Sequence, residues 1–190
     1  MPGTELSIVC EGLLSRIFRQ RNGDSANRGF VVALTSAHPS AGVSYITKAM
    51  ASALDQQGNQ ITLLLNGRHI DDAQANTTEL SQVLGTEPVH DNWHSNQSRL
   101  AIYLDNLRHE YRYVVIDCPS LKESEHAVVL APLVDGIVVV VEANRTQKEQ
   151  LRYAERTLES AGGRILGHVL NKRTYPIPDW LHRRMEAVGI

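Results

Sequence analysis

Cysteine is scarce in this sequence. Cys10 and Cys118 are far apart in a chain of 190 residues and both lie among apolar neighbours, so a disulfide framework is not supported and a reducing compartment is expected. Long hydrophobic runs are also missing: none approaches the roughly 20 residues that cross a bilayer. The first residues lack the charged start, apolar middle and small-residue cleavage site of a secretory leader. The expectation is a cytoplasmic protein. Neither sign of charge dominates, with 19 Lys and Arg against 21 Asp and Glu and a net charge of -2, which leaves no broad positive field for nucleic acid. The length suits one ordinary domain with a sizeable core.

What is present is a series of short apolar runs, each bounded by turn residues: Phe30 to Thr35, Ile61 to Leu65, Tyr113 to Ile116, Ile137 to Val141 and Ile165 to Leu170. A run such as Val138 to Val141 has no polar face, as expected of a parallel strand covered by helices on both sides. Helical patterns over 43–57, 98–110, 124–131 and 146–161 alternate with these strands. The alternation predicts an α/β fold with a doubly wound, mostly parallel sheet. Thr146 with Glu149 has capping-box spacing, and Gly162-Gly163 and Gly58 supply left-handed helix stops. The polar stretch from Gly85 to Ser98 is expected to be an exposed loop.

Ahead of the sheet, Leu6, Val9, Leu13 and Ile17 recur at helical spacing, with Arg16, Arg19 and Arg21 beside or after them. The pattern suits an amphipathic helix that packs on its own domain, binds a partner or lies on a membrane surface. Residues 1–28 are therefore set apart as a helix and linker, and 29–190 as the main domain.

Thr35-Ser36-Ala37-His38-Pro39-Ser40-Ala41-Gly42-Val43-Ser44 runs from strand through a small-residue loop into a helix, the context in which backbone N–H groups converge on phosphate. As a bare motif it fails, because Val43 stands where the lysine is required. Over residues 29 to 182, however, several segments resemble the bacterial tyrosine kinases of capsule and exopolysaccharide assembly, within the class of P-loop ATPases that includes division-site and partition ATPases. The loop resembles Thr-Ser-Ala-x-Pro-Gly-Glu-Gly-Lys-Ser. Tyr113 to Ser120 resembles the Walker B strand Tyr-Val-Ile-Ile-Asp-Thr-Pro-Pro. Leu130 to Val141, Gly167 to Asn171 and Tyr175 to Leu181 resemble later family segments. The resemblance implies a three-layer αβα, P-loop NTPase-like fold.

It also implies where chemistry is lost. A valine at 43 cannot donate the charge-assisted hydrogen bonds that position the β- and γ-phosphates. The family's Asp-x-Asp after the second strand reads Asn66-Gly67-Arg68 here; an amide takes no proton, and arginine holds no magnesium. Retained positions are Gly42, Ser44 and Asp117, the last two on the magnesium side if that ion binds, and Asn171 at the place that contacts adenine in relatives. No cofactor is expected to be required, and weak ATP or ADP binding with magnesium is left open. Arg68 is expected to pair internally with Asp117.

Other signals are weaker. His90 and His94 are an incomplete ligand set with no evident third member. His38 reads as a solvated loop residue, and Cys118 as a packed one. The resulting expectation is a catalytically impaired, kinase-like regulatory subunit that docks on the cytoplasmic part of a polysaccharide co-polymerase or on an active tyrosine kinase. It would reach the inner face of the membrane only through that partner, bind no nucleic acid, and leave homo-oligomers open. The alternative is an active kinase or ATPase with a non-consensus loop.

Overall fold

The computed structural model describes residues 28–56, 62–66 and 93–173, with β2 and the start of the second helix described by their backbone. In chain order the elements are β1 (Phe30–Ser36), α1 (Val43–Gln56), β2 (Thr62–Asn66), α2 (Trp93–Glu110), β3 (Tyr113–Asp117), α3 (His126–Leu130), β4 (Gly136–Glu142), α4 (Lys148–Ser160) and β5 (Ile165–Asn171). The strands form one parallel sheet in the order β2-β3-β1-β4-β5. From β1 the chain travels to one edge and returns beside β1 through β3, then continues on the opposite side through β4. The order reverses at the carboxyl end of β1, where open α/β sheets hold their ligands.

Strand alternation builds two cores. Val31 and Ala33 of β1 face one side with Val114, Ile116 and Val139, against Leu100, Leu104 and Leu107 of α2, Leu130 of α3 and Leu158 of α4. Val32 and Leu34 face the other side with Val115, Val138 and Val140, against Ile46, Met50 and Leu54 of α1. Each large aliphatic residue so buried stabilises the fold by roughly 1.5–3 kcal/mol before entropy is counted. The three-layer arrangement bears out the doubly wound, P-loop-like expectation.

Two local expectations fail. The stretch from Gly85 to Ser98 is not loop throughout, because α2 begins at Trp93; residues 85–92 lie outside the described residues. The capping box at the start of α4 is made by Gln147 and Gln150 rather than by Thr146 and Glu149. Thr146 is engaged elsewhere: its Oγ1 accepts from the Glu142 N–H at 3.0 Å. Gly162 is left-handed at φ 87, as its role as a helix stop requires. The segments 1–27, Gly58, Arg68, His90 and Tyr175 to Leu181 lie outside the described residues. Among the described residues no helix is long and apolar enough to cross a membrane.

Candidate phosphate-loop site

The connection between β1 and α1 is a tight loop whose shape depends on two left-handed residues, Ser40 (φ 66) and Gly42 (φ 89). Glycine adopts this region freely, while serine incurs a steric cost and needs support from its surroundings. Gly42 serves as the helix N-cap position, its carbonyl accepting from the Ile46 N–H at 3.1 Å. The first-turn N–H groups of α1, including those of Val43 and Ser44, have no partner within the helix itself. Ser44 is half-buried beside them.

Val43 takes no part in this polar surface. Its side chain is buried and belongs to the apolar cluster of Val32, Leu34, Ile46 and Val140, and its carbonyl accepts the Thr47 hydroxyl at 2.8 Å. Asp117 ends β3 and is buried. Its backbone register partners are Leu34 of β1 and Asn66 of β2, so the positions 66 and 117 share one end of the sheet. The Asn66 side chain and all of Arg68 lie outside what is described, and the expected Arg68–Asp117 pair with them. Cys118 is 1% exposed, as the packing reading required. The turn after it is laced to β1: the Cys118 N–H donates to Leu34 O at 2.9 Å, and the Thr35 hydroxyl to Pro119 O at 2.7 Å.

From the end of β5 and the residue just after it, two side chains reach the loop. Asn171 Nδ2 donates to Ala41 O at 2.8 Å, and Lys172 Nζ donates to Ser40 O at 2.6 Å. The same ammonium lies 3.2 Å from Glu142 Oε1 at the end of β4. Glu142 Oε2 is 3.4 Å from Arg145 and 4.0 Å from His38 Nδ1. Burial alone would raise the Glu142 carboxyl, but the Lys172 hydrogen bond and the charges of Lys172, Arg145 and His38 hold it below its ordinary value.

His38 corrects an expectation. It is not a solvated loop residue but is 9% exposed, with Nδ1 3.0 Å from Pro39 O and Nε2 2.8 Å from Thr146 Oγ1. A carbonyl only accepts, so Nδ1 carries a hydrogen and donates it to Pro39 O. Beside it a cleft of about 540 Å³ runs between the loop, Leu121 and Lys122 after β3, and Tyr153 of α4. Among the described residues no group of three or more His, Cys, Asp or Glu is placed to hold a metal.

The structure thus gathers Gly42, Ser44, Val43 and Asn171 around one turn and sets Asp117 at the adjacent strand end. Sequence reasoning missed Lys172, Glu142 and Thr146. The only available signal was position, since Lys172 directly follows the strand end that supplies Asn171.

No protein-family model matches the chain. CapB of Staphylococcus aureus, which carries a tyrosine-protein kinase name, is 36% identical over 75 residues, 40% of this chain and 33% of the relative. The succinoglycan biosynthesis transport protein ExoP of Rhizobium meliloti is 36% identical over 73 residues, 38% of this chain and 9% of the relative. The matched part therefore spans a third or less of these relatives. Among solved structures, the chimerical protein CapA2B2 superposes with a TM-score of 0.69 at 24% identity, covering 87% of this chain and 84% of the other. Cobyrinic acid a,c-diamide synthase of Mycobacterium smegmatis, solved with an ATP analogue and magnesium, gives a TM-score of 0.55 at 14% identity, covering 84% and 82%. The chain is a homologue of bacterial tyrosine-protein kinases, built on the P-loop NTPase-like fold.

Proposed function

We propose that this chain is a kinase-like regulatory subunit of capsule or exopolysaccharide assembly, impaired in phosphoryl transfer. It docks on the cytoplasmic part of a polysaccharide co-polymerase or on an active tyrosine kinase, and reaches the membrane through that partner. In this reading residues 29–190 form the kinase-like domain, and 1–28 an amphipathic helix and linker ahead of it. The likeness to CapB and ExoP supports the setting. The single observation that carries the impairment is Val43: the position that must supply a phosphate-binding cation is an aliphatic side chain packed into the α1 core.

ATP or ADP fits this site in part. The loop has the left-handed residues and helix start that a phosphate cradle needs. Bound there, a nucleotide would lie against the N–H groups from 41 to 44 and have Asn171 on its base side, with Ser44 and Asp117 as the groups for magnesium. The loop itself contributes no lysine to neutralise charge that develops during transfer, so rate suffers more than affinity.

A second reading, an active enzyme with an unusual loop, is favoured by one observation only, the Lys172 ammonium at the loop's edge. Turnover of ATP with magnesium, measured beside a Val43→Lys variant, decides between them. The expected result is background turnover in the natural chain; appreciable hydrolysis or tyrosine phosphorylation by it would remove the impaired reading.

A further inference from the structure

Two consecutive peptide units of the loop have their carbonyls held by two consecutive residues, Asn171 at the end of β5 and Lys172 just after it. Lys172 Nζ binds Ser40 O at 2.6 Å and Asn171 Nδ2 binds Ala41 O at 2.8 Å. In a planar trans peptide the C=O and the following N–H point opposite ways. Fixing the carbonyls of Ser40 and Ala41 toward β5 therefore turns the N–H groups of Ala41 and Gly42 away from β5. Adjacent N–H groups turned to one side around left-handed residues form a concavity that takes anions.

The tie to Ser40 has the larger task. Ser40 is the loop's non-glycine left-handed residue, at φ 66, so its peptide gains most from an external restraint. Lys172 is itself left-handed at φ 57, which turns the chain at the end of β5. Glu142 holds the far side of the ammonium at 3.2 Å. Its own position is fixed by the β4–β5 register, in which Glu142 pairs with Asn171. Removal of the ammonium would release the Ser40 peptide and leave the Glu142 carboxylate beside the loop without its hydrogen-bonded lysine, with Arg145 at 3.4 Å and His38 at 4.0 Å as its remaining neighbours.

We propose that Lys172 is the positioning residue of the phosphate loop: from outside, it holds the Ser40 peptide in the anion-facing shape, and it offsets part of the Glu142 charge at that edge. The inference rests on the loop being a nucleotide-phosphate site, one part of the proposed function, and is independent of whether transfer occurs.

The test uses the full chain, with MgADP titrated calorimetrically into the natural protein, Lys172→Met and Lys172→Arg. Loss of a charge-assisted tie predicts roughly tenfold or greater weakening in Lys172→Met. Lys172→Arg recovers most of the affinity, and Lys172→Met together with Glu142→Gln recovers part of it by removing the negative charge that Lys172 had offset beside the loop. Amide exchange of the unliganded loop at 40–42 accelerates in Lys172→Met while β1 and β3 stay protected, and the midpoint of unfolding shifts little. Unchanged affinity and exchange in Lys172→Met overturn the inference, as does an affinity loss that neither second variant relieves. Failure of the natural chain to bind millimolar MgADP overturns it too, but leaves the impaired-subunit reading standing, because that reading falls only to measured turnover.

Discussion

The amide nitrogen of Asn171 occupies the space that a side chain on Gly42 would need. Gly42 is also left-handed, at φ 89. Gly42→Ala therefore meets both backbone strain and a collision, and should destabilise the protein by about 1–3 kcal/mol. Urea denaturation checks this, and Asn171→Ala in the same background should return part of the loss by clearing the collision. An alanine at 42 that leaves stability unchanged would mean that the loop does not have this shape.

The carboxyl of Glu142 should leave a mark on the acid limb of stability. Its folded pKa lies below the ordinary value of about 4.5, because Lys172, Arg145 and His38 outweigh the opposing effect of burial. A depressed folded pKa means that the unfolded chain takes up the proton first. The stabilisation is thus present in full above the ordinary value and is lost as pH falls through the folded one. Unfolding free energy measured from pH 7 down to about 3 should fall less steeply in Glu142→Gln than in the natural chain. Parallel acid limbs in the two proteins would contradict the assignment.

At the opposite end of the sheet Arg108 fastens α2 to the start of β4. It is buried, donating from Nη2 to Leu133 O at 2.7 Å and from Nε to Asp135 Oδ2 at 3.2 Å. The same Asp135 oxygen accepts the Val31 N–H at 2.8 Å. Arg108→Met keeps much of the volume and strands a carbonyl and part of a carboxylate. The expected cost is about 2 kcal/mol, since Asp135 remains partly hydrated. A loss under about 0.5 kcal/mol in chemical denaturation, the size of an ordinary surface change, would show the tie to be dispensable.

Each described strand lies within about a residue of its apolar run, and the central strands β1, β3 and β4 were the most readable because strands covered on both faces have almost no choice of residue. Val138 to Val141 announces β4 without help from any other part of the chain. The start of α2 was not readable. His94, Ser95, Asn96, Gln97 and Ser98 carry no apolar period, although they continue a helix whose buried face, at Leu100, Leu104 and Leu107, lies further on. The loop itself was legible from its small residues, and Gly42, Ser44, Asp117 and Asn171 were found by family resemblance. The contacts that shape the loop were not. Lys172 meets Ser40 across 132 positions of sequence and His38 meets Thr146 across 108. Such pairings follow from which strand ends lie side by side, and no local pattern encodes them. The same cause moved the helix cap: Thr146 has the spacing for a capping box, but its hydroxyl is committed to β4 and His38.

β1, from which the loop springs, is clamped by a ladder of hydrogen bonds on each flank, to β3 and to β4. Its end cannot shift without tearing one of those ladders, so any message arriving here has little backbone travel available to it.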